Sequence, residues 1–111
     1  MDNSLKESLD HANKMKVFNN QLRLLKEKYL ERNIYFTIGH QFTIDLKLIN
    51  YCITLKNQNK IKDVIMLDDY DLPVRIDDLK SFYDNIMDLY QQNLNAYIVE
   101  YNKLVQDKGR I

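Results

Sequence analysis

Between residues 34 and 78 the same local pattern occurs twice: two short β-type runs, a turn between them, and an acidic residue positioned to cap a helix. In the first copy the runs are 34–38 and 41–44, and Gly39-His40 is the turn between them. Glycine supplies the positive φ that a two-residue hairpin turn requires. Asp45 follows and can accept hydrogen bonds at the start of a helix.

The second copy has the same order of parts. Its apolar runs are 63–67 and 72–76, and the polar segment 68–71 between them is typical of a turn because aspartate bonds readily to its own backbone. Asp77 is the predicted helix cap. A repeated ββα unit predicts an architecture and points to no catalytic chemistry.

Three helical patterns complete the chain. The segment 4–32 has neither glycine nor proline, 46–58 forms a shorter helix, and 78–108 forms a long final one that Gly109 ends. The order α-ββ-α-ββ-α predicts an α+β fold: a small antiparallel sheet of two hairpins with long N- and C-terminal helices. We expect one domain over residues 1–111, with residues 1–20 as a projecting helical extension.

Helical periodicity also predicts which side chains of these three segments face inward. They are Met15, Phe18, Leu22, Leu25 and Tyr29 in the first; Leu46, Ile49, Ile53 and Leu55 in the second; and Leu79, Phe82, Ile86, Leu89, Tyr97, Tyr101 and Leu104 in the third.

Charge and composition argue against several classes of partner. The chain has 16 basic and 16 acidic residues and no net charge, whereas nucleic-acid-binding proteins usually carry a basic excess. The cluster Lys56, Lys60 and Lys62 is interpreted as a solvated helix end and loop in preference to a local basic patch. No apolar run approaches the ~20 residues that span a bilayer, and no signal peptide is recognisable. Cys52 is the single cysteine, which favours a reducing compartment.

Candidate catalytic and metal-binding groups each have a simpler structural interpretation. The acidic cluster Asp68, Asp69, Asp71, Asp77 and Asp78 lacks the alternate spacing of a calcium loop, and turn and cap roles account for all five residues. The two histidines, at positions 11 and 40, have no nucleophile or carboxylate at a triad-like spacing. We therefore expect no enzymatic activity, no metal and no cofactor.

Tyrosines on the final helix are the candidate partner-binding residues. Tyr83, Tyr90 and Tyr97 recur every seven residues and Tyr101 lies four beyond, so the four share one side of the helix. Tyrosine is enriched at interfaces because a rigid apolar ring ends in a hydrogen-bonding hydroxyl. The alternative is that these rings form the rim of the protein's own core.

The region from about residue 22 to 104 resembles a bacteriophage domain of unknown function found in tail and tail-fibre-assembly proteins. The similarity lies in a helix entering Asn33-Ile-Tyr-Phe, then Gly39, Phe42 and Asp45 of the first hairpin. It continues through a helix and an apolar strand that enters Asp68-Asp69-Tyr-Asp. The strand Pro73-Val-Arg-Ile76 and a long final helix complete it.

The resemblance implies a phage protein that is either a tail-associated virion component or a helper in tail-fibre assembly, located in the virion or the host cytoplasm. We expect a non-enzymatic protein–protein interaction module. Its partner would be a phage tail or tail-fibre protein, or a second copy of the chain, with no nucleic acid or membrane involved. The alternative function is a small phage-encoded inhibitor or regulator of a host enzyme or defence complex.

Overall fold

The computed structural model describes residues 3–109, and the order of its elements confirms the predicted α-ββ-α-ββ-α arrangement. None of its described helices is both long enough and apolar enough to cross a bilayer. The elements are α1 (Asn3–Arg32), β1 (Ile34–Thr37), β2 (His40–Thr43), α2 (Leu46–Asn57), β3 (Lys62–Leu67), β4 (Pro73–Asp78) and α3 (Leu79–Gly109).

The chain divides into two compact units. Among the described residues, the helical unit comprises 3–30 and 94–109, and the hairpin unit comprises 31–93. Within the helical unit the inward stripe predicted for α1 is confirmed. Leu25 is buried, and the other four members of the stripe are half-buried: Met15, Phe18, Leu22 and Tyr29. Leu5 and Leu9, nearer the start of α1, are about half exposed.

The first hairpin forms, but the predicted turn is wrong by one residue. Thr37 pairs with His40, so the two-residue turn is Ile38-Gly39 and His40 belongs to β2. Ile38 and Gly39 have φ values of 51° and 75°. A turn with positive φ at both central residues matches the twist of the flanking strands. A β-branched residue seldom adopts positive φ, because the conformation is strained. The Ile38 side chain is 72% exposed, so packing does not offset the cost of this strain.

Replacing Ile38 by asparagine is therefore expected to stabilise the protein. Asparagine tolerates positive φ, and Asn-Gly is the preferred sequence for this turn. We expect the free energy of unfolding to rise by about 1 kcal/mol, measured by urea denaturation. Ile38→Val keeps the β-branch and is the matched control. A destabilised Ile38→Asn protein would contradict the turn geometry.

The second hairpin forms around the predicted acidic turn. Leu67 pairs with Pro73 and Lys62 with Asp78, so both strands are longer than predicted. Asp71 adopts a φ of 61° in the turn. The hairpins form two separate two-stranded sheets. They are joined where the backbone N–H of Asp69 donates to the carbonyl of Gln41, at 2.9 Å.

Helix α2 is capped at both ends by its own sequence. Asp45 accepts a 2.8 Å hydrogen bond from the backbone N–H of Leu48, as predicted. At the other end the N–H of Lys60 donates to the Leu55 carbonyl and that of Asn59 to the Lys56 carbonyl. With Asn59 at a φ of 60°, this is a Schellman motif, which turns the chain sharply away from the helix.

Burial on α2 is only partly as predicted. Ile49, Cys52 and Leu55 are buried, whereas Leu46 is 64% and Ile53 is 38% exposed. At about 100° per residue, Leu46 and Ile53 both lie on a neighbouring side of the helix, away from the buried row. The prediction for these two residues is wrong because apolar character alone does not distinguish adjacent sides.

The cap of α3 is Asp78, and the prediction of Asp77 is wrong by one residue. Asp78 accepts hydrogen bonds from the backbone N–H of Lys80 and from both the backbone and the hydroxyl of Ser81. Because β4 continues through Asp78 to pair with Lys62, the helix begins one residue later. Of the inward positions predicted on α3, Leu79, Phe82 and Ile86 are buried; Leu89, Tyr97 and Leu104 are half-buried, and Tyr101 is exposed.

One hydrophobic core holds the hairpin unit together. The alternating strand residues that face inward come from both hairpins and meet α2 and the first two turns of α3. The buried members are Phe42, Ile44, Ile49, Cys52, Leu55, Val64, Met66, Val74, Ile76, Leu79, Phe82 and Ile86.

Candidate functional site

Two of the four predicted partner-binding tyrosines lie beside the core of the hairpin unit. Tyr83 and Tyr90 are half-buried and pack against the buried cluster. The ammonium group of Lys56 lies 5.9 Å from the centre of the Tyr83 ring, a cation–π geometry. Both rings are therefore partly covered by the protein itself.

The other two tyrosines belong to the helical unit and differ in exposure. Tyr97 is half-buried, and its ring centre lies 4.6 Å from that of Tyr29. One turn further along, Lys28 and Glu100 form a 3.0 Å ion pair between the same two helices. Tyr101 is 36% exposed. Tyr101 is thus the member of the stripe most accessible to another molecule, and the partner-binding role of all four stays a prediction.

The structure adds apolar neighbours to Tyr101 that the tyrosine pattern did not include. Leu94, Ile98, Tyr101 and Val105 recur at spacings of four, three and four and so share one side of α3; we call this set the α3 flank. Leu94 is half-buried, whereas Ile98 and Val105 are 50% and 42% exposed. The same helical periodicity, applied to all apolar residues instead of tyrosines alone, would have found the set.

The acidic turn contains a histidine–carboxylate pair that sequence spacing did not reveal. The Nδ1–H of His40 donates to Oδ2 of Asp68 at 2.7 Å, across 28 residues of chain. The other oxygen of Asp68 accepts from the backbone N–H groups of Tyr70 and Leu72, both at 2.9 Å. Asp68 is only 6% exposed, so its carboxylate organises the turn from inside.

Asp69 attaches the same turn to the first hairpin. Its carboxylate accepts from the backbone N–H and the hydroxyl of Thr43, both at 2.8 Å, and from the side-chain amide of Gln41 at 2.9 Å. An imidazole held by a carboxylate is one part of a triad, but catalysis also needs a nucleophile in reach of the ring. The contacts of this pair join β2 to the turn after β3.

These bonds change the ionisation of two aspartates. Donation from His40, followed by the turn N–H groups, lowers the pKa of Asp68 below its ordinary value. Hydrogen bonds from Ser81 and Lys80 likewise lower the pKa of Asp78. In both cases the donors stabilise the charged carboxylate.

The lowered pKa of Asp68 predicts a loss of stability in acid. The pKa of Asp68 in the folded protein lies below the unfolded value of about 4. The ionised carboxylate therefore contributes its full stabilisation of the fold above about pH 4, and this stabilisation is lost as the pH falls through the folded pKa. We expect Asp68→Asn to be less stable than wild type near neutral pH, with the difference shrinking in acid. Asp78, whose pKa is also lowered, is present in both proteins, so its effect on stability cancels in the comparison. Urea midpoints from about pH 6 to pH 2 measure this, and a constant difference would contradict it.

In the part of the chain that the structure describes, no three histidine, cysteine, aspartate or glutamate side chains come together in a way that could hold a metal ion. Cys52 is buried in the core, and burial raises the pKa of its thiol to about 11. The thiol is therefore protonated near neutral pH and packs as a small apolar side chain.

Comparisons of this chain with protein-family models, with curated proteins and with solved structures find no match.

Proposed function

We propose that this protein is a non-enzymatic interaction module that docks on a bacteriophage tail or tail-fibre protein through the α3 flank. The resemblance of residues 22–104 to a tail-associated phage domain suggests the class of partner. The observation that carries the proposal is the row of exposed apolar side chains on α3, with Ile98 and Val105 about half exposed.

The composition around the α3 flank supports this proposal. Asn95, Asn102 and Gln106 are exposed and lie on the side of α3 that adjoins the flank, so uncharged amides border the apolar row. Interface centres are depleted of charge and enriched in aromatic residues, and Tyr101 stands within the row. Apolar anchors at spacings of three and four are also how a helix presents itself to a hydrophobic groove or to a second helix.

The helical unit has further reason to bind a partner. Within residues 3–30 and 94–107, Leu25 is the one side chain that is buried. Two helices in contact along a narrow seam gain little stability from burial, and most helical stability in water comes from packing of an apolar face. Docking of another helix on the α3 flank would remove additional apolar surface from water.

The decisive experiment compares two sides of the same helix. The chain would be co-expressed with the tail and tail-fibre proteins of the phage that encodes it, and co-purification of each quantified. The double variant Ile98→Asp and Val105→Asp is expected to weaken association at least about a hundredfold. It places a charge at two apolar positions that the partner would bury in the complex. Val99→Asp is the control: Val99 is 53% exposed and lies about 130° around the helix axis from the centre of the flank.

Equal loss of binding in the flank variant and the Val99→Asp control would contradict docking through the α3 flank. Failure of every tail and tail-fibre protein to co-purify would contradict the proposed class of partner. Quantitative mass spectrometry of purified particles and infected-cell lysate separates the two roles. Stoichiometric presence in particles indicates a structural component, and abundance in lysate alone indicates an assembly helper.

A further inference from the structure

The hairpin unit contains an apolar cavity to which the proposed function assigns no role. It has a volume of about 340 Å³ and lies where the end of α2, the segment before β3 and the start of α3 meet. Sites for small molecules usually measure about 300–1,000 Å³ and have apolar walls with a few polar groups. Cys52, Ile61, Leu79 and Tyr83 supply the apolar part of the lining.

Three lysines surround this apolar lining. Lys56, Lys62 and Lys80 all line the cavity and are all exposed. Within residues 3–109, the ion pairs that the structure shows involve none of the three. Asp78 is the one carboxylate of the lining, and its oxygens accept from the backbone N–H of Lys80 and from the backbone and hydroxyl of Ser81 at the start of α3. Three ammonium groups against one occupied carboxylate leave the rim positively charged.

Two of these lysines come from the basic cluster seen in the sequence, and the structure separates that cluster. Lys56 and Lys62 line the cavity, whereas Lys60 does not. The third rim lysine, Lys80, comes from α3, far away in sequence. Folding thus assembles a positive rim that the run of residues 56–62 did not predict.

The backbone of the cavity walls is held in place by hydrogen bonds. The Schellman motif after α2 sets the direction of the chain at Asn59 and Lys60. The N–H of Leu79 then donates to the carbonyl of Ile61 at 2.9 Å, which ties the segment before β3 to the start of α3. A site whose walls are set by secondary structure is preformed, so binding requires little ordering of the protein.

We propose that this cavity binds a small amphipathic anion, its apolar body against Cys52, Ile61, Leu79 and Tyr83 and its negative head among Lys56, Lys62 and Lys80. A medium-chain carboxylate has this chemistry. The walls bury the hydrocarbon part, and the ammonium groups attract a head that stays at the solvent boundary. This inference concerns the hairpin unit alone and is independent of docking through the α3 flank.

The test uses octanoate, below its micelle-forming concentration, as the probe for the full chain. Titration followed by backbone amide NMR is expected to shift the signals of Cys52, Leu79 and Tyr83. Octanamide, which has the same chain without the charge, is the ligand control. Replacing all three rim lysines by glutamine is expected to weaken octanoate binding about tenfold and to leave octanamide binding unchanged.

A charge-matched variant separates the local rim from net charge. Lys47→Gln, Lys60→Gln and Lys103→Gln together remove the same charge from exposed lysines outside this cavity. This variant is expected to bind octanoate as wild type does. Equal weakening in both triple variants, equal binding of octanoate and octanamide to wild type, or no shift at Cys52 and Leu79 would overturn the proposal.

Discussion

Replacing Phe82 by alanine is expected to lower the free energy of unfolding by about 4 kcal/mol, the largest effect of any single change considered for this chain. Phe82 is only 5% exposed and belongs to the core of the hairpin unit. Its ring meets those of Tyr35 and Phe42 edge to face, at centre distances of 5.8 Å and 5.2 Å. Alanine would remove both ring contacts and leave a cavity that rigid neighbours cannot fill.

Urea denaturation followed by circular dichroism measures this loss, with Phe36→Ala as the control. Phe36 is the same residue type in the same unit, but it is 69% exposed on β1. Its replacement is expected to change the free energy of unfolding by no more than about 0.5 kcal/mol. A total stability of roughly 5–15 kcal/mol means that Phe82→Ala would leave a marginal protein. Similar effects of the two substitutions would contradict the packing of the aromatic cluster.

The order of elements was predictable because each signal is local. Turn residues, apolar alternation and helical periodicity act over a few positions, and all seven elements follow from them. The turn of the first hairpin could not be placed in this way. With the turn at Gly39-His40, Phe42 would pair with Thr37; in the structure it pairs with Tyr35. Both alternatives put Phe42 on the same face, so alternation does not distinguish them.

The pairing of Tyr35 with Phe42 is favoured by a residue that lies elsewhere in the chain. Phe82 of α3 packs edge to face against both rings. The observed pairing places these two aromatic residues directly opposite each other, where one ring from α3 can contact both. A sequence pattern read along one hairpin contains no information about a helix 40 or so residues further on.

The candidate sites show the same limit. His40 and Asp68 are 28 residues apart, and their pairing depends on how the second hairpin turn meets β2. Periodicity did place Tyr97 and Tyr101 on one side of α3. It could not show that Tyr97 packs on Tyr29 whereas Tyr101 remains exposed, since that depends on where another helix lies. The rim of the apolar cavity likewise needs Lys80 from a third element.

The second large effect is expected from Asn93→Leu, which removes a buried amide from the hairpin unit. The Asn93 amide donates to the carbonyl of Arg32, the last residue of α1, and to the side-chain oxygen of Asn33, both at 2.8 Å. Asn33 and Asn93 are 3% and 8% exposed. Leucine has a similar volume but no donor, so both hydrogen bonds would be lost, and the side-chain oxygen of the buried Asn33 would lose the donor that Asn93 supplies. We expect a loss of about 2 kcal/mol in the free energy of unfolding.

A double variant distinguishes the missing hydrogen bond from a simple change of packing. In Asn33→Leu with Asn93→Leu, the unsatisfied side-chain oxygen of Asn33 is also removed, while its backbone carbonyl still accepts from the N–H of Ile44. When both hydrogen-bonding partners are replaced by apolar groups, no unsatisfied polar atom remains between them, so much of the stability lost on removing one partner is recovered. The double variant is therefore expected to be about 1 kcal/mol more stable than Asn93→Leu alone, by urea denaturation. Strictly additive losses would instead mean that shape, and not the unpaired buried oxygen, determines the effect.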